Sequence, residues 1–453
     1  MSFKIKILAR NPEEFTRETK KDIYKVPRSY KAVVDPFREQ VEYTRALNAA
    51  KLERVFAKPF ITALDGHNEG VHILSKHSTR LSTVLSGARD GEIRIWHLTS
   101  RRCVQTIQTH NGPVNGVSVD DSDGEHFVTV GQDSQLKIWR LPAGDLADAY
   151  DIGDAPLHSV ALDGVAHGVS HISRSPDFVV CGDSVALWKL YRDHPLRSYD
   201  LGPNTIYSVR CNPIEDSMVA CCASDRSIYL LDTRQRVPLT RVVLRLRSNR
   251  IAWHPLESYT FVAANEDYNL YTFDMRSLKS ARNVHRGHTM AVMDVDFAPT
   301  GAEFVSAGYD RSLRIFPADS ANSRDVYHAP RMQNVQSVLW SSDNKYVLSG
   351  SDDMNIRVWK ANASEKLGPL RPREKESLKY AQKLRENYQH HPQVGRILKH
   401  RQVPKHIYSA MREHRIIRES TKRKEENIRR NTRREVPYVA ERVAPIVKEG
   451  LGD

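Results

Sequence analysis

Three groups of side chains carry the residue types of a nucleophilic triad: His67, Ser86 and Asp90; His110, Thr129 and Asp133; His288, Ser306 and Asp310. A hydroxyl activated by an imidazole, itself oriented by a carboxylate, is the chemistry of acyl transfer. The groups recur in register, however, whereas an active site is built once. Trp96 and Trp139 close the first two copies, Phe316 stands in that place in the sixth, and a last copy has Ser349, Asp353 and Trp359 with Arg331 where the His would be. We read the sets as polar clips, in which an Asp in a tight turn accepts from backbone N–H groups and from an upstream His, and a hydroxyl links the His to the Trp. No catalytic residue is assigned. The chain has no G-x-x-x-x-G-K-[ST], H-E-x-x-H or G-x-S-x-G motif, so the reading is of a protein that is not an enzyme and has neither cofactor nor small-molecule substrate.

The elements that must hold these clips follow from their period. Asp90, Asp133, Asp183, Asp225, Asp267, Asp310 and Asp353 are 43, 50, 42, 42, 43 and 43 residues apart, each followed by a large apolar residue. Short alternating apolar runs at a period of about 40–45 residues predict four-stranded propeller blades, here seven, in an all-β domain over residues 58–360. The third to fifth copies lack the His and are expected to rely on packing. Residues 58–64 look like an outer strand, while nothing strand-like follows Trp359, so 58–64 is expected to complete the last blade and cover two sheet edges. The acidic insert 142–156 accounts for the 50-residue spacing and reads as a surface loop.

Charge separates the ends from the middle. Lys and Arg exceed Asp and Glu by 5 in residues 1–57 and by 11 in 361–453, while 58–360 carries a net −3. The extensions are therefore suited to a polyanion, and charge alone leaves RNA, DNA and an acidic membrane open. No apolar run reaches the roughly 18–20 residues of a membrane span, and the first ten residues lack a signal-peptide core. Five cysteines without a C-x-x-C pair argue against a metal site or disulfide framework and for a soluble, intracellular protein in a reducing compartment; Cys221 and Cys222 read as small buried strand residues.

Residues 1–57 read as a basic arm, with a helix start at Asn11 and a helix over 41–57 that docks on its own domain or, as the alternative, binds a partner. In the basic helical extension 361–453, one helix is expected over 372–391 and a second from Pro404, with Ile407, Met411 and Ile417 on one side. Around that side and beyond it lie Arg412, Arg415, Arg418, Lys422, Arg423, Lys424, Arg429 and Arg430, candidates for phosphate contacts, with Tyr380, Tyr388 and Tyr408 as candidates for base stacking. A charged helix face plus a nuclear import signal over 422–434 is the other reading, and one segment can serve both. Leu231-Asp232-Thr-Arg234 and Phe273-Asp274-Met-Arg276 place an Arg just beyond the same strand of two consecutive blades, as cationic forks for an acidic partner or as ion pairs within each blade.

Three longer strings, Tyr43–Phe60, Ala263–Arg276 and Met354–Gly368, resemble the Sof-type WD-repeat family, eukaryotic nucleolar proteins also described as cullin-associated factors. The resemblance runs from the arm through the propeller into the C-terminal helices. It implies a non-catalytic component of the small-subunit processome, which assembles on precursor ribosomal RNA with a box C/D small nucleolar RNP and permits maturation of small-subunit (18S) rRNA. Alternatively, it implies a substrate receptor of a cullin-RING ubiquitin ligase whose adaptor reads [WFYL]-D-x-R. Asp232, Arg234, Asp274 and Arg276 fit that element, the first copy with Leu where Trp is preferred. The resemblance places the protein in the nucleus and nucleolus.

Overall fold

The computed structural model describes residues 37–141, 155–432, 438 and 440–447. The candidate helix start at Asn11 and most of the 142–156 insert lie outside them.

Seven antiparallel four-stranded sheets form the propeller. Blade one holds β2–β5 (Val71–Lys76, Thr83–Ala88, Glu92–His97, Arg102–Gln108), and blade two β6–β9 (Val114–Val119, His126–Gly131, Gln135–Arg140, His158–Ala161). Blade three holds β10–β13 (Gly168–His171, Asp177–Cys181, Val185–Lys189, Arg197–Tyr199), and blade four β14–β17 (Ile206–Cys211, Met218–Ala223, Ser227–Asp232, Thr240–Val243). Blade five is β18–β21 (Ser248–Trp253, Thr260–Asn265, Leu270–Asp274, Asn283–His285), and blade six β22–β25 (Val292–Phe297, Glu303–Gly308, Leu313–Pro317, Asp325–Tyr327). Blade seven joins β26–β28 (Val335–Trp340, Tyr346–Ser351, Ile356–Lys360) to β1 (Phe60–Leu64), which pairs Thr62 with Val358 and Leu64 with Ile356.

The second strand of each blade shows why the ring coheres. Every residue of β3, β15 and β19 is buried, because both faces of a blade are covered by neighbouring blades. Apolar clusters accordingly join blades three and four, four and five, and five and six, and Trp96, Trp139, Trp340 and Trp359 are fully buried. Cys221 and Cys222 lie in β15 with no exposure, and burial pushes both thiols up.

The recurring Asp has a backbone reason. The residue after it has a left-handed φ in six blades: Gly91 (88°), Ser134 (55°), Arg226 (68°), Tyr268 (71°), Arg311 (59°) and Met354 (67°). Such a turn needs local compensation when the residue is not Gly. The Asp carboxylate supplies it by accepting the N–H two residues on, at 3.0 Å for Asp90, Asp225 and Asp267 and 3.2 Å for Asp133 and Asp310.

Four helices lie among the described residues: α1 (Arg38–Val55), α2 (Pro372–Asn387), α3 (Pro392–Lys399) and α4 (Lys405–Asn431). The helical extension is divided between two compact units. Residues 1–59 group with 362–401, and 60–361 with 402–453. In the smaller unit α1 packs on α2 and α3 through buried Ala46, Ala50, Leu384 and Val394, with Glu53 paired to Arg385 at 2.7 Å.

Candidate nucleic-acid interface and adaptor contacts

The clips are complete in blade two. His110 Nδ1 is 2.9 Å from Asp133, its Nε2 is 2.9 Å from Thr129 Oγ1, and Trp139 Nε1 donates to the same hydroxyl at 3.1 Å. Blade six keeps His288 to Asp310 (3.0 Å) and to Ser306 (2.7 Å), with Phe316 stacked on Phe304 in place of the indole bond. Burial alone would raise the Asp310 carboxyl, but His288, Arg314 and Ser312 outweigh it and hold it at about 2. Burial pushes the His288 imidazole down, so a neutral ring donates Nδ1–H to an ionised carboxylate. In blade seven Trp359 donates to Ser349 at 2.9 Å, Asp353 pairs with Arg357, and Arg331 is exposed. Ser86, Thr129, Ser306 and Ser349 have no exposure, so no substrate reaches these hydroxyls.

Blade one corrects the expected clip. His67 Nε2 lies 2.6 Å from Ser86 and Trp96 donates to Ser86 at 2.7 Å, but Asp90 does not close the set and His67 Nδ1 has no partner. Asp90 serves the turn N–H of Glu92, while Arg94 pairs with Glu92 at 2.6 Å and lies against Gly66 beside the ring. Burial first, and then Arg94, push His67 down to about 4. Blades four and five correct the expectation of packing alone, since a Tyr four residues after the Asp replaces the His. Tyr229 donates to Asp225 at 3.1 Å, and Tyr271 donates to Asp267. Asp-x-x-x-Tyr, present twice in consecutive repeats, was the available signal.

The two forks are internally paired. Arg276 grips Asp274 at 2.8 and 3.0 Å and lies over the Tyr259 ring, 3.8 Å from its centroid. Arg234 donates to Ser217 at 2.6 Å, with Asp232 at 3.7 Å and Glu215 at 3.9 Å. Both side chains remain 62–71% exposed, so each guanidinium presents its outer edge to solvent while its own blade fixes its direction.

α4 begins docked on the propeller. Ile407 is buried, Arg314 donates to Met411 Sδ at 3.6 Å, and His414 packs edge-on against Tyr268 with centroids 5.4 Å apart. One turn on, Arg418 is exposed at the edge of that side, its guanidinium pushed down by partial burial and by Arg286 against the opposing pull of Glu441. Ile417, expected on that side, is 60% exposed, because i, i+4, i+7 and i+11 from Ile407 lead to Met411, His414 and Arg418. Farther along, Arg415–Glu419 (2.8 Å) and Arg430–Glu426 (2.6 Å) are pairs on the helix itself, and Arg423 Nε donates to the Glu419 carbonyl. Arg429 lies over Tyr438 at 4.9 Å, while Arg412, Lys422 and Lys424 are exposed. Tyr408 is open at 62% and Tyr380 at 37%, but Tyr388 is held by Glu42 and the Tyr43 ring.

Sequence reasoning missed α3, whose start is marked by Pro392, and a C-terminal strap. Val447 N–H donates to the Val243 carbonyl at 2.9 Å, Arg245 N–H to Pro445 and Ala281 N–H to Arg442, while Glu441 pairs with Arg286 at 2.9 Å. The strap thus ties the chain after α4 to blades four and five. No group of metal ligands and no helix long and apolar enough to cross a membrane occurs among the described residues.

A Sof1-like domain model matches residues 361–446, and a WD domain, G-beta repeat model matches 58–97, 101–140, 279–316 and 325–360. The human DDB1- and CUL4-associated factor 13 is 50% identical over 445 residues, covering 98% of this chain and 99% of that protein. The chain belongs to the Sof1-like WD-repeat family. Its Xenopus laevis relative of the same name is 50% identical over 95% of this chain and 96% of its own length, and Protein SOF1 of Saccharomyces cerevisiae is 36% identical over 98% and 94%. The WD40 propeller of Doa1 superposes with a TM-score of 0.57 over 67% of this chain and 96% of that one, at 19% identity, a likeness of fold. Sof1-like proteins are WD-repeat scaffolds or adaptors. The matched Sof1-like segment includes α4 and the strap, the two elements through which this chain extends its propeller.

Proposed function

We propose that this Sof1-like protein is a non-catalytic scaffold of the nucleolar small-subunit processome, required for pre-rRNA processing and small-subunit biogenesis, with α4 as its RNA-gripping element. The observation that carries the reading is the contrast along that helix. Ile407, Met411 and His414 are seated on the propeller, and Lys422, Arg423, Lys424 and Arg430 are presented on an exposed helix. An outward row of cations on a fixed base suits a phosphate backbone, whose binding is driven by counterion release. The yeast relative's name and the Sof1-like match over 361–446 support the same assignment. Partners under this reading are pre-rRNA, processome proteins and the box C/D small nucleolar RNP, and the basic 422–434 run serves import to the nucleus. Affinity purification of the full chain from nuclear extract, with and without ribonuclease, tests it. Processome proteins and pre-rRNA should be recovered, with the RNA-dependent part lost on digestion; recovery of neither would overturn it.

A second reading, as substrate receptor of a cullin-RING ligase, is favoured by the fork geometry and by the vertebrate relatives' name, DDB1- and CUL4-associated factor 13. Asp274 and Tyr259 hold Arg276 in one direction, and Ser217 holds Arg234, as preorganised donors for an acidic adaptor. Arg234→Ala with Arg276→Ala should abolish adaptor capture at an unchanged melting temperature. Undiminished capture by that double variant would remove this reading.

A further inference from the structure

Two side chains of blade three reach across to the turn that carries the blade-four fork. Arg197 Nη1 donates to the Thr233 carbonyl at 2.6 Å, and the buried Tyr199 donates its hydroxyl to the same oxygen at 3.0 Å. Thr233 lies between the fork residues Asp232 and Arg234, so the exposed Arg197 is held beside Arg234. The same latch recurs between blades six and seven, where Arg324 (2.8 Å) and Tyr327 (3.3 Å) both donate to the Ala361 carbonyl. There the charge is cancelled, because Arg324 also pairs with Glu303 at 2.8 Å and Asp325 at 3.2 Å. Among the described residues Arg197 pairs with no carboxylate. A latch needs only a hydrogen bond, and Tyr199 supplies one already, so the positive charge of Arg197 is surplus to it. The forks lack such a charge: Asp274 grips Arg276, and Asp232 and Glu215 stand near Arg234, which leaves each fork with little net attraction for an acid.

We propose that Arg197 is a third adaptor-binding cation, which contacts an acidic group of the protein adaptor engaged by the forks and supplies the net positive charge that the internally paired forks do not. The proposal rests on the ligase-receptor reading and extends its surface from blades four and five onto blade three. A charge at such a rim acts chiefly on the rate of encounter and is screened by salt.

The test titrates purified DDB1, the adaptor in the vertebrate relatives' name, with the full chain. Arg197→Gln removes the charge but keeps an N–H donor for the Thr233 carbonyl, whereas Arg197→Lys keeps the charge. Arg197→Gln should weaken binding about tenfold at low salt and by much less at high salt, and Arg197→Lys should stay within about threefold of wild type. Equal losses in the two variants would mean that the latch and not the charge is at work, and would overturn the proposal. If Arg197→Gln binds as wild type does while Arg234→Ala with Arg276→Ala abolishes capture, the third cation is overturned and the fork reading stands. If the double fork variant binds undiminished, or the wild type does not bind, both fall together. Should Arg197→Gln melt below the wild type, carbodiimide treatment of the complex formed by Arg197→Lys decides the matter. A link from position 197 to an Asp or Glu of DDB1 supports the contact, and its absence from a complex that still forms overturns it.

Discussion

Arginines in the blades and arginines on α4 are put to opposite uses. Arg314 is 2% exposed and 3.9 Å from Asp310, Arg357 pairs with Asp353, and Arg94 pairs with Glu92, so blade cations complete turns that the fold needs. On α4, Arg415 is 76% exposed and Arg430 71%, and their partners are one helical turn away on the same helix. Exposed pairs of this kind are screened by solvent and contribute little to stability. Positive charge beside a turn Asp such as Asp310 or Asp353 is thus structural, and the exposed positive charge beyond residue 418 faces solvent or a ligand.

Acidification should separate the two regions most strongly. His67, His72 and His285 are each pushed down to about 4, chiefly by burial. A ring neutral in the fold and protonated in the unfolded chain contributes stability that is present above about pH 6.5 and lost as pH falls toward 4, at up to about 3 kcal/mol per histidine. Urea midpoints measured from pH 7.5 down to 4.5 should fall steadily through that window. A flat profile would mean that the blade histidines are not the strained groups described.

Asp310→Ala comes next. It orphans His288 and leaves Arg314 buried without its carboxylate, for which a loss of about 3–5 kcal/mol is expected in urea unfolding. Tyr271→Phe should cost less, about 1–3 kcal/mol, since it frees Asp267 of one buried donor while Asn269 N–H continues to hold it. If Tyr271→Phe were as costly as Asp310→Ala, the Tyr clip would equal the His clip and the ranking of blades would need revision.

These details also show what a single sequence discloses. The Asp period gave the blades, because each turn imposes the same backbone requirement on one residue and the same acceptor on its neighbour. Ring closure was readable because 58–64 has a strand pattern where no unit remained to receive it. Tyr229 and Tyr271 were hidden since a Tyr in a strand is ordinary packing until its hydroxyl is seen to reach Asp. The union of α1 with α2 and α3, and the strap over 440–447, depend on contacts between segments hundreds of residues apart, for which local periodicity holds no record. On α4, Ile417 was expected inward because apolar character was weighed above helical phase, which carries the docked side through Met411 and His414 instead and leaves both Ile417 and Arg418 exposed.

The smallest expected effect on the fold belongs to Lys422→Glu, Arg423→Glu and Lys424→Glu together, within about 0.5 kcal/mol for exposed sites. The same change bears on the central claim, that α4 grips RNA from a propeller base. The decisive measurement is the affinity of the full chain for a structured pre-rRNA fragment between 50 and 200 mM salt, wild type against this triple variant, a range over which six to ten phosphate contacts would cost about 10³–10⁵ in affinity. The account predicts a steep salt dependence whose slope falls by about one for each phosphate contact removed, with an unchanged urea midpoint. Salt-insensitive binding, or a slope identical in the triple variant, would contradict it.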